Sequence, residues 1–514
     1  MLAKITPDGN RIEVSQMSKS DLGHIETISR AKRWSWQAKK YIEVSYLYMF
    51  TFLPSGFYKR LLSLNKDGLV QNLTLKGMEY ITNNIIQEDL EEWVMDEDYM
   101  FSPKWYQSKA LYLSLRFNRM RIEIATGGGK SFIIAMYVRY LLQNELKPGD
   151  KIIICTIRRM LVDQMIDDIY SYNKNKNGVC SFQAVYAGSE ENENANVIVG
   201  TYQSMSNWPK ERFVGVKAFV CDEVHMGCVA SIKDEIIPKL PNACKRFVGF
   251  SGTMPEHNTI EDLHLEAYFG PIGMQVSAKQ LQDEGSIAKI HISIINITYG
   301  LKTSKAYFYD ENVLKGGPSK LKGEREILQT LNVRNDFIRT VCGKFVGNQV
   351  ILVDSVDYAK FLVKYLGELP NKQVRLIYGG TKTSTRNEIK SEMKMDGDDI
   401  ILVATYETMS TGVSINNIMA IHFPDGGKSR IRIRQSCGRG LRLHPKKDYL
   451  QVFDYVDNFT KYYGEKVKDD EGNVTYPDAW PGPHKNIFQK HGKERIKIYE
   501  KERFPIKYVE FKVD

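Results

Sequence analysis

A glycine-rich segment in the first third of the chain has the residues of a phosphate-binding loop. Ala125–Ser131 reads Ala-Thr-Gly-Gly-Gly-Lys-Ser and precedes an apolar, helix-forming run. Glycines let the backbone approach phosphate oxygens, and the N–H groups at a helix start attract anions. We therefore predict that Lys130 pairs with the β- and γ-phosphates of ATP and that Ser131 binds Mg²⁺. The strict pattern has glycine where this chain has Ile124, so a plain glycine-rich turn is the alternative. The predicted nucleotide contacts in this loop are Thr126, Gly127, Gly128, Gly129, Lys130 and Ser131.

Two adjacent carboxylates, Asp222 and Glu223, directly follow the apolar run Ala218–Cys221. A carboxylate at the carboxyl end of a parallel strand faces the crevice where ligands bind. We predict that Asp222 binds Mg²⁺ and that Glu223 orients and deprotonates the attacking water. His225 is predicted to couple the nucleotide to the later segment Ser251–Thr253. The alternative is a solvated surface pair, which is the usual role of adjacent Asp and Glu residues. The prediction of a catalytic role therefore depends on their position at the end of a strand.

A glutamine and two arginines recur at regular spacing late in the chain, at Gln435, Arg439 and Arg442. On a helix, arginines three residues apart share a face. Arginines brought to a γ-phosphate stabilise the charge that grows in the transition state, an effect of about 10³–10⁵ in rate. The alternative is a basic helix face that binds nucleic-acid phosphate. That alternative suits the alternating arginines of a predicted strand or extended segment better, namely Arg430, Arg432 and Arg434.

The elements that must position these residues alternate between strand and helix from about residue 96. The first series of predicted strands is Arg121–Ala125, Lys151–Cys155, Val197–Gly200, Ala218–Cys221 and Phe247–Ser251. The second series is Gln349–Val353, Val374–Tyr378, Ile400–Thr405, Met419–Phe423 and Tyr449–Val456. Such alternation predicts an α/β fold with two lobes, each built on a parallel sheet covered by helices.

Five segments are expected along the chain. They are a small α+β accessory domain at 1–95, proposed to bind DNA; a first, ATP-binding lobe at 96–275; a connector of one strand and a polar stretch at 276–328; a second lobe at 329–460; and a basic, helical C-terminal extension at 461–514. In the accessory domain, Trp34 and Trp36 lie near Lys39 and Lys40. These four residues form either a DNA-binding surface or the core and solvated face of a small domain.

The bulk composition sets broad limits. The chain has 514 residues, of which 26% are charged, and a formal net charge of +9, a modest excess that suits a polyanionic partner. Seven cysteines are scattered without a C-x-x-C pair. This argues against a zinc ribbon or a disulfide framework and favours a reducing cytoplasm. No apolar run reaches the length of a membrane span, so we expect no membrane partner.

The order of these motifs resembles that of the superfamily 2 helicases and translocases. Trp105–Gln107 is similar to the glutamine element that touches adenine, Ser251–Thr253 to the Ser-Ala-Thr element, and Gln435–Arg442 to Gln-x-x-Gly-Arg-x-x-Arg. The resemblance implies two tandem RecA-like lobes, an adenine contact at Gln107 and a coupling role for Ser251 and Thr253.

Contacts to a nucleic-acid backbone are expected at further positions. The resemblance implies such contacts at Arg158, Thr201, Ser204 and Thr405. Gly412 and the small hydroxyl residues around it suit a loop that lines both ATP and a phosphate backbone. Contacts of this kind predict salt-sensitive binding that is largely indifferent to sequence.

A narrower resemblance is to the UvsW-type helicases of tailed phages. It rests on the tail Lys490–Phe504, on Gly427–Ser429 and on Leu53–Phe57. It implies ATP-dependent unwinding of branched DNA, branch migration and strand annealing in recombination, replication and repair. The partners implied are forked or branched duplex and single-stranded DNA, together with recombination proteins. The implied setting is the host-cell cytoplasm, and a monomer is expected.

Three other functions remain open at this point. The Asp-Glu-x-His form also occurs in RNA helicases, so it does not decide between DNA and RNA. A motor subunit of a restriction or defence complex is the second alternative, although no nuclease constellation is visible. A non-enzymatic binding module is the third, and it would require degraded motifs, whereas the candidate ATPase residues are all present.

Overall fold

A computed structural model gives the fold. It describes residues 1–35, 40–45, 52–70, 73–172, 180–189, 192, 194–225, 231–311, 313, 317–367, 369–395, 399–409, 415–425, 427–459, 467–468, 474–475 and 486–513. The chain divides into two compact units, Met1–Val276 and Ser277–Asp514. Within the described ranges, no helix is long and apolar enough to cross a membrane.

The first unit contains a small sheet followed by a large one. Its described strands are β1 (Leu2–Ile5), β2 (Arg11–Ser15), β3 (Arg30–Ser35), β4 (Lys40–Ser45), β5 (Phe52–Pro54), β6 (Thr74–Lys76), β7 (Arg119–Ile124), β8 (Lys151–Thr156), β9 (Phe182–Val185), β10 (Val197–Thr201), β11 (Val216–Asp222), β12 (Arg246–Ser251) and β13 (Ile272–Val276). Its described α-helices are α1 (Lys19–Ser29), α2 (Tyr58–Lys66), α3 (Gln87–Asp96), α4 (Trp105–Arg116), α5 (Lys130–Asn144), α6 (Arg159–Tyr172), α7 (Tyr202–Ser206) and α8 (Ile260–Phe269).

The large sheet of the first unit is parallel, with the order β13-β7-β12-β11-β8-β10-β9. Its central strands are continuous apolar runs that are buried on both faces, as strands covered by helices on both sides must be. The five strands predicted in this region are confirmed, and their ends agree with the prediction to within two residues.

The small sheet, β5-β2-β1-β6, forms the accessory α+β part of the first unit. The core beneath it includes Phe57 and Leu61 and also takes in Ile260 and Leu263 of α8. Gly56 lies so close to the backbone of Glu266 that an added Cβ would overlap it. The small sheet therefore shares its core with the large-sheet region. Trp36 and Lys39 lie outside the described residues, as do the side chains of Trp34 and Lys40.

A buried ionic cluster ties α2 to the strand that leads into the glycine-rich loop. Arg60 of α2 lies 2.6 Å from both Asp262 and Glu266 of α8. Arg121 of β7 lies 2.9 Å from Asp262. All four side chains are almost fully buried. Charges removed from water in this way stabilise the fold only while each keeps its partner.

Arg60→Ala is expected to lower the free energy of unfolding of the first unit by about 3–5 kcal/mol, because it leaves two buried carboxylates sharing Arg121. Urea denaturation measures this change. Lys66→Ala, which removes an exposed cation from the same helix, should leave the midpoint unchanged. Equal midpoints for the two variants would contradict the prediction.

The second unit is built on another parallel seven-stranded sheet, with the order β16-β17-β15-β18-β19-β14-β22. Its described strands are β14 (Lys289–Tyr299), β15 (Gln349–Val353), β16 (Gln373–Ile377), β17 (Ile400–Thr405), β18 (Ala420–Phe423), β19 (Tyr449–Phe459), β20 (Val467–Lys468), β21 (Val474–Thr475) and β22 (Ile506–Val513). Its described α-helices are α9 (Ala278–Asp283), α10 (Leu301–Phe308), α11 (Gly317–Thr330), α12 (Asn332–Lys344), α13 (Val356–Leu366), α14 (Thr383–Lys394), α15 (Tyr406–Met409), α16 (Arg430–Gly440) and α17 (Ile487–Lys501).

Two strands join this sheet from outside the predicted second lobe. β14 comes from the segment expected to be a connector, and it pairs with β19 along its whole length. β22 comes from the C-terminal extension and pairs with the other side of β14. The polar stretch after β14 is helical, since it forms α10 and α11. The basic C-terminal helix is confirmed as α17, and β22 follows it.

The segment around Arg432 differs from its prediction. The extended structure expected there is wrong, because Arg430–Gly440 is a single helix. Ser429 caps this helix, with its side chain accepting from the backbone of Arg432. Arg432 lies 2.9 Å from Asp354, and Arg434 lies 2.9 Å from Glu502. Both arginines thus have carboxylate partners within the second unit.

Candidate nucleotide site and nucleic-acid contacts

The order of strands in the first sheet decides which candidate residues lie together. All its strands are parallel, so their carboxyl ends share one edge. β7, β12 and β11 are neighbours in that sheet. β7 leads into the glycine-rich loop, β12 ends at Ser251, and β11 ends at Asp222. β8 and β10 follow next; Arg158 lies two residues after β8, and Thr201 is the last residue of β10. The ATP candidates and the nucleic-acid candidates of this unit therefore occupy adjoining parts of one edge.

The glycine-rich loop joins β7 directly to α5 and has the backbone of a phosphate site. Gly127 and Gly129 have φ of +92° and +79°, values that favour glycine. Gly128 N–H donates to the Ala125 carbonyl at 3.0 Å, which closes the turn. Ile124 is the last residue of β7 and is fully buried. The side chain at this position therefore packs in the core and does not enter the loop.

Gln107 fixes the loop from the side. Its side-chain amide donates to the Gly128 carbonyl at 3.1 Å and accepts from the Lys104 backbone N–H at 2.9 Å. A Cβ at Gly129 would overlap this amide, so a larger residue there would push the Gln107 side chain aside and would also strain φ. The predicted glutamine element thus lies against the phosphate loop.

The two carboxylates after β11 share one electrostatic environment with Lys130. Burial and then the charge of Glu223 raise the pKa of Asp222. Burial alone would also raise the pKa of Glu223, but Lys130 and His225 outweigh it and lower that pKa. Glu223 is therefore held in its charged form, as a base must be. Its φ of +55° is unusual for a residue with a side chain, and such strain is common at functional sites.

Glu223, His225 and Ser251 contact one another, and Ser251 Oγ donates to the Glu223 carboxylate at 3.2 Å. His225 Nδ1 lies 2.8 Å from Ser251 Oγ and 3.3 Å from a carboxylate oxygen of Glu223. The Thr253 backbone N–H donates to Ser251 Oγ at 3.1 Å. An ideal Cβ on Gly252 would lie 3.1 Å from Thr126 Oγ1. The structure thus brings the three predicted coupling residues together beside the phosphate loop.

The residues predicted to hold Mg²⁺ fit that ion in chemical type. Mg²⁺ takes one or two carboxylates and completes its shell with water and substrate phosphates. No group of three or more acidic, histidine or cysteine side chains suited to a metal occurs in the described part of the chain. Asp222 offers one half-buried carboxylate, and Ser131 lies in the first turn of α5.

The arginine helix of the second unit ends earlier than predicted. α16 ends at Gly440, so Arg442 lies just beyond the helix. The expectation that Arg439 and Arg442 share a helical face is therefore wrong, because only Arg439 is in the helix. Lys447 explains the end, because its ammonium donates to the carbonyls of Gly440 at 2.9 Å and Asn416 at 2.8 Å. Gln435, Arg439 and Arg442 are each partly exposed.

The hydroxyls expected to contact nucleic acid play local roles at strand ends. Thr201 caps α7 by accepting from the Ser204 backbone N–H at 3.3 Å. In the second unit, Thr405 Oγ1 lies 2.7 Å from Thr408 Oγ1. Thr201 and Thr405 are both largely buried, whereas Arg158 and Ser204 are partly exposed. Gly412 lies outside the described residues.

Two residues that no motif indicated lie next to this site. Glu123 of β7 accepts from the Met254 backbone N–H at 3.3 Å and from the Gln275 amide at 2.6 Å. Glu123 could have been noticed in the sequence, because a carboxylate is unusual inside a buried strand. Tyr172, at the end of α6, places its hydroxyl 2.9 Å from Ser131 Oγ, and no sequence signal pointed to it.

Comparison with known proteins gives matches in both units. Residues 100–256 match the family described as "Type III restriction enzyme, res subunit". Residues 333–444 match the family described as "Helicase conserved C-terminal domain". The ATP-dependent DNA helicase uvsW of Enterobacteria phage T4 is 28% identical over 430 residues, which cover 81% of this chain and 80% of that protein.

Two solved structures share the fold. One is the ATP-dependent Type ISP restriction-modification enzyme LlaBIII bound to DNA, with a TM-score of 0.55, 13% identity, and coverage of 80% of this chain and 32% of that one. The other is S. cerevisiae Dbp5 bound to RNA and ADP BeF3, with a TM-score of 0.50, 16% identity, and coverage of 84% and 94%.

Proposed function

Because this chain is a superfamily 2 helicase similar to the UvsW-type enzymes, we propose that it is an ATP-dependent DNA helicase that unwinds or branch-migrates branched DNA in phage recombination, replication and repair. The observation that carries the proposal is the set of mutual contacts among Glu223, His225 and Ser251, beside the loop of Lys130. This arrangement connects the proposed base for hydrolysis to the Ser251–Thr253 segment, whose position can change with the state of the nucleotide.

In this proposal the first unit binds Mg²⁺-ATP and activates the water. The loop N–H groups and Lys130 hold the phosphates, and Gln107 contacts the adenine. Ser131 and Asp222 would hold the metal, which would supply positive charge to neutralise the phosphates. Glu223 takes the proton of the attacking water, a role that its lowered pKa supports.

The second unit is proposed to supply Arg439 and Arg442 to the γ-phosphate, with Gln435 in support. Neither unit alone then holds a complete catalytic set. ATP would favour the arrangement that brings both sets to the phosphate, and hydrolysis would remove that preference. Lys447 donates to the carbonyl of Gly440, which lies between the two arginines in the sequence, and so stabilises the end of α16.

Movement along DNA is proposed to follow from backbone contacts in both units. Arg158 and Ser204 are the candidates in the first unit, with Thr201 holding Ser204 in place. Thr405 and the loop around Gly412 are the candidates in the second. His225, Ser251 and Thr253 would couple these contacts to the nucleotide. The small N-terminal region, 1–95, is proposed to add to DNA binding.

The wider setting is also a proposal. We propose that the protein acts as a monomer in the host-cell cytoplasm and meets recombination proteins there. The similarity to uvsW supports the phage setting. The alternative function, as the motor subunit of a restriction complex, is supported by the match of residues 100–256 to the res-subunit family.

The nucleic acid is the part of the proposal that most needs a test. LlaBIII is bound to DNA and Dbp5 to RNA, and both share this fold, so the fold does not select one of them. The identity to uvsW over most of both chains favours DNA.

ATP hydrolysis is expected to rise most with forked DNA and Holliday junctions, less with single strands or linear duplex, and least with RNA. The measurement is a substrate panel in which ATPase and strand separation are both followed at one fixed salt concentration, since phosphate contacts make binding salt-dependent. Stronger stimulation by RNA would replace the DNA proposal with an RNA helicase. Translocation along duplex without unwinding of any fork would favour the restriction-type motor.

A further inference from the structure

We propose that Tyr172 is a positioning residue for Ser131, and that its hydroxyl sets the serine oxygen in place to bind Mg²⁺. This inference rests on the proposed function, in which Ser131 is a metal ligand. It assigns a role to a side chain that belongs to none of the motifs described above.

The contact is close, and Tyr172 is held from several sides. Its hydroxyl lies 2.9 Å from Ser131 Oγ. Its ring packs edge-on against Phe132 at 5.1 Å and against Phe101 at 6.4 Å, measured between centroids. Its carbonyl accepts from the Met100 backbone N–H at 2.8 Å. Because ring and backbone are both fixed, the position of the hydroxyl is fixed as well.

The chemistry of the serine makes such a partner useful. A serine hydroxyl has one proton and two acceptor lone pairs, and without a partner it turns among three staggered positions. When Ser131 donates its proton to Tyr172, the lone pairs are left for a cation. In that arrangement the Tyr172 oxygen is the acceptor of the contact. Mg²⁺ demands near-octahedral geometry and gives up water reluctantly, so a preset oxygen lowers the Mg²⁺ concentration needed.

The same tyrosine links the metal ligand to the segment ahead of α4. Tyr99 also packs edge-on against Phe132, at 5.4 Å. These rings form one aromatic cluster, defined here as Tyr99, Phe101, Phe132 and Tyr172. The cluster joins the first turn of α5 to residues 99–101, which precede the Gln107 element. Loss of the Tyr172 ring would therefore remove packing contacts that hold the first turn of α5 in position.

Tyr172→Phe removes the hydroxyl and keeps the ring. The full chain is titrated with Mg²⁺ in the absence of DNA, and binding of a fluorescent ATP analogue is followed. The half-saturating Mg²⁺ concentration is expected to rise roughly three- to tenfold, the factor that corresponds to one neutral hydrogen bond. The matched control is Tyr170→Phe, which makes the same change on the same helix at a side chain that is 42% exposed. It should behave as the wild type does.

A third variant separates this inference from the proposed function. Ser131→Ala should raise the Mg²⁺ requirement by at least as much as Tyr172→Phe. If Ser131→Ala leaves the titration unchanged, the metal role of Ser131 fails, and the inference fails with it. If Ser131→Ala has its effect but Tyr172→Phe matches Tyr170→Phe, only the inference is overturned. A lower Mg²⁺ requirement in Tyr172→Phe would also overturn it, since the tyrosine would then hold the serine away from the metal. Thermal melting without nucleotide checks that each variant is folded.

Discussion

Replacement of Lys130 by alanine is expected to reduce ATP hydrolysis by at least about 10²–10³-fold, the cost of losing one preorganised charge-stabilising donor. Lys130 opens α5, and its charge favours the ionised forms of Asp222 and Glu223, although burial and the charge of Glu223 still raise the pKa of Asp222. The variant therefore loses a phosphate partner and leaves two neighbouring carboxylates without their cation. Steady-state phosphate release with saturating DNA measures the loss.

Nucleic-acid binding should survive this change, because the backbone candidates of the first unit lie at or just after the ends of β8 and β10, which are not neighbours of β7 in the sheet. A binding titration of forked DNA in the absence of nucleotide checks that point. Lys147→Ala, at an exposed lysine after α5, is the control and should keep full turnover. Retained hydrolysis in Lys130→Ala would remove the phosphate-loop assignment.

Arg442→Ala and Arg439→Ala are each expected to lower turnover by about 10³–10⁵-fold while ATP affinity changes little, because the arginines act on charge that appears only in the transition state. The measurement separates the turnover number from the dissociation constant of a fluorescent ATP analogue. The two quantities distinguish two roles. Loss of a contact made only in the transition state lowers turnover, whereas loss of a contact made with bound ATP raises the dissociation constant.

Arg432→Ala is the matched control on the same helix. Its side chain is exposed and paired with Asp354, so maximal turnover should remain near that of the wild type. If Arg439→Ala and Arg442→Ala weaken only DNA binding, the arginines belong to a phosphate-binding helix face. That outcome would leave the role of Lys130 untouched.

The sequence predicted the parts of this molecule that depend on local pattern. Glycines before Lys130 and an apolar run before Asp222 require a strand end and a helix start, and both are found. The strand predictions succeeded for the same reason, because buried parallel strands are short, continuous apolar runs.

What the sequence could not predict depends on partners distant in the chain. The alternation of arginine and isoleucine at 430–434 suggested a strand, but capping by Ser429 and packing of Gly440 against Leu450 favour a helix. The apolar pattern of β14 indicated a strand without indicating its neighbours, β19 and β22. The hydroxyl contact between Ser131 and Tyr172 likewise spans 41 positions, and no spacing rule reports it.

The pairing of β14 with β22 has a consequence for synthesis of the protein on the ribosome. β14 is made near residue 289, but its edge partner is finished only near residue 513. In a nascent chain, one side of β14 must therefore wait unpaired, and unpaired edges are templates for aggregation. The first unit has all its strands by residue 276 and can fold early. We therefore expect a growing chain to be most prone to aggregation during translation of its second half.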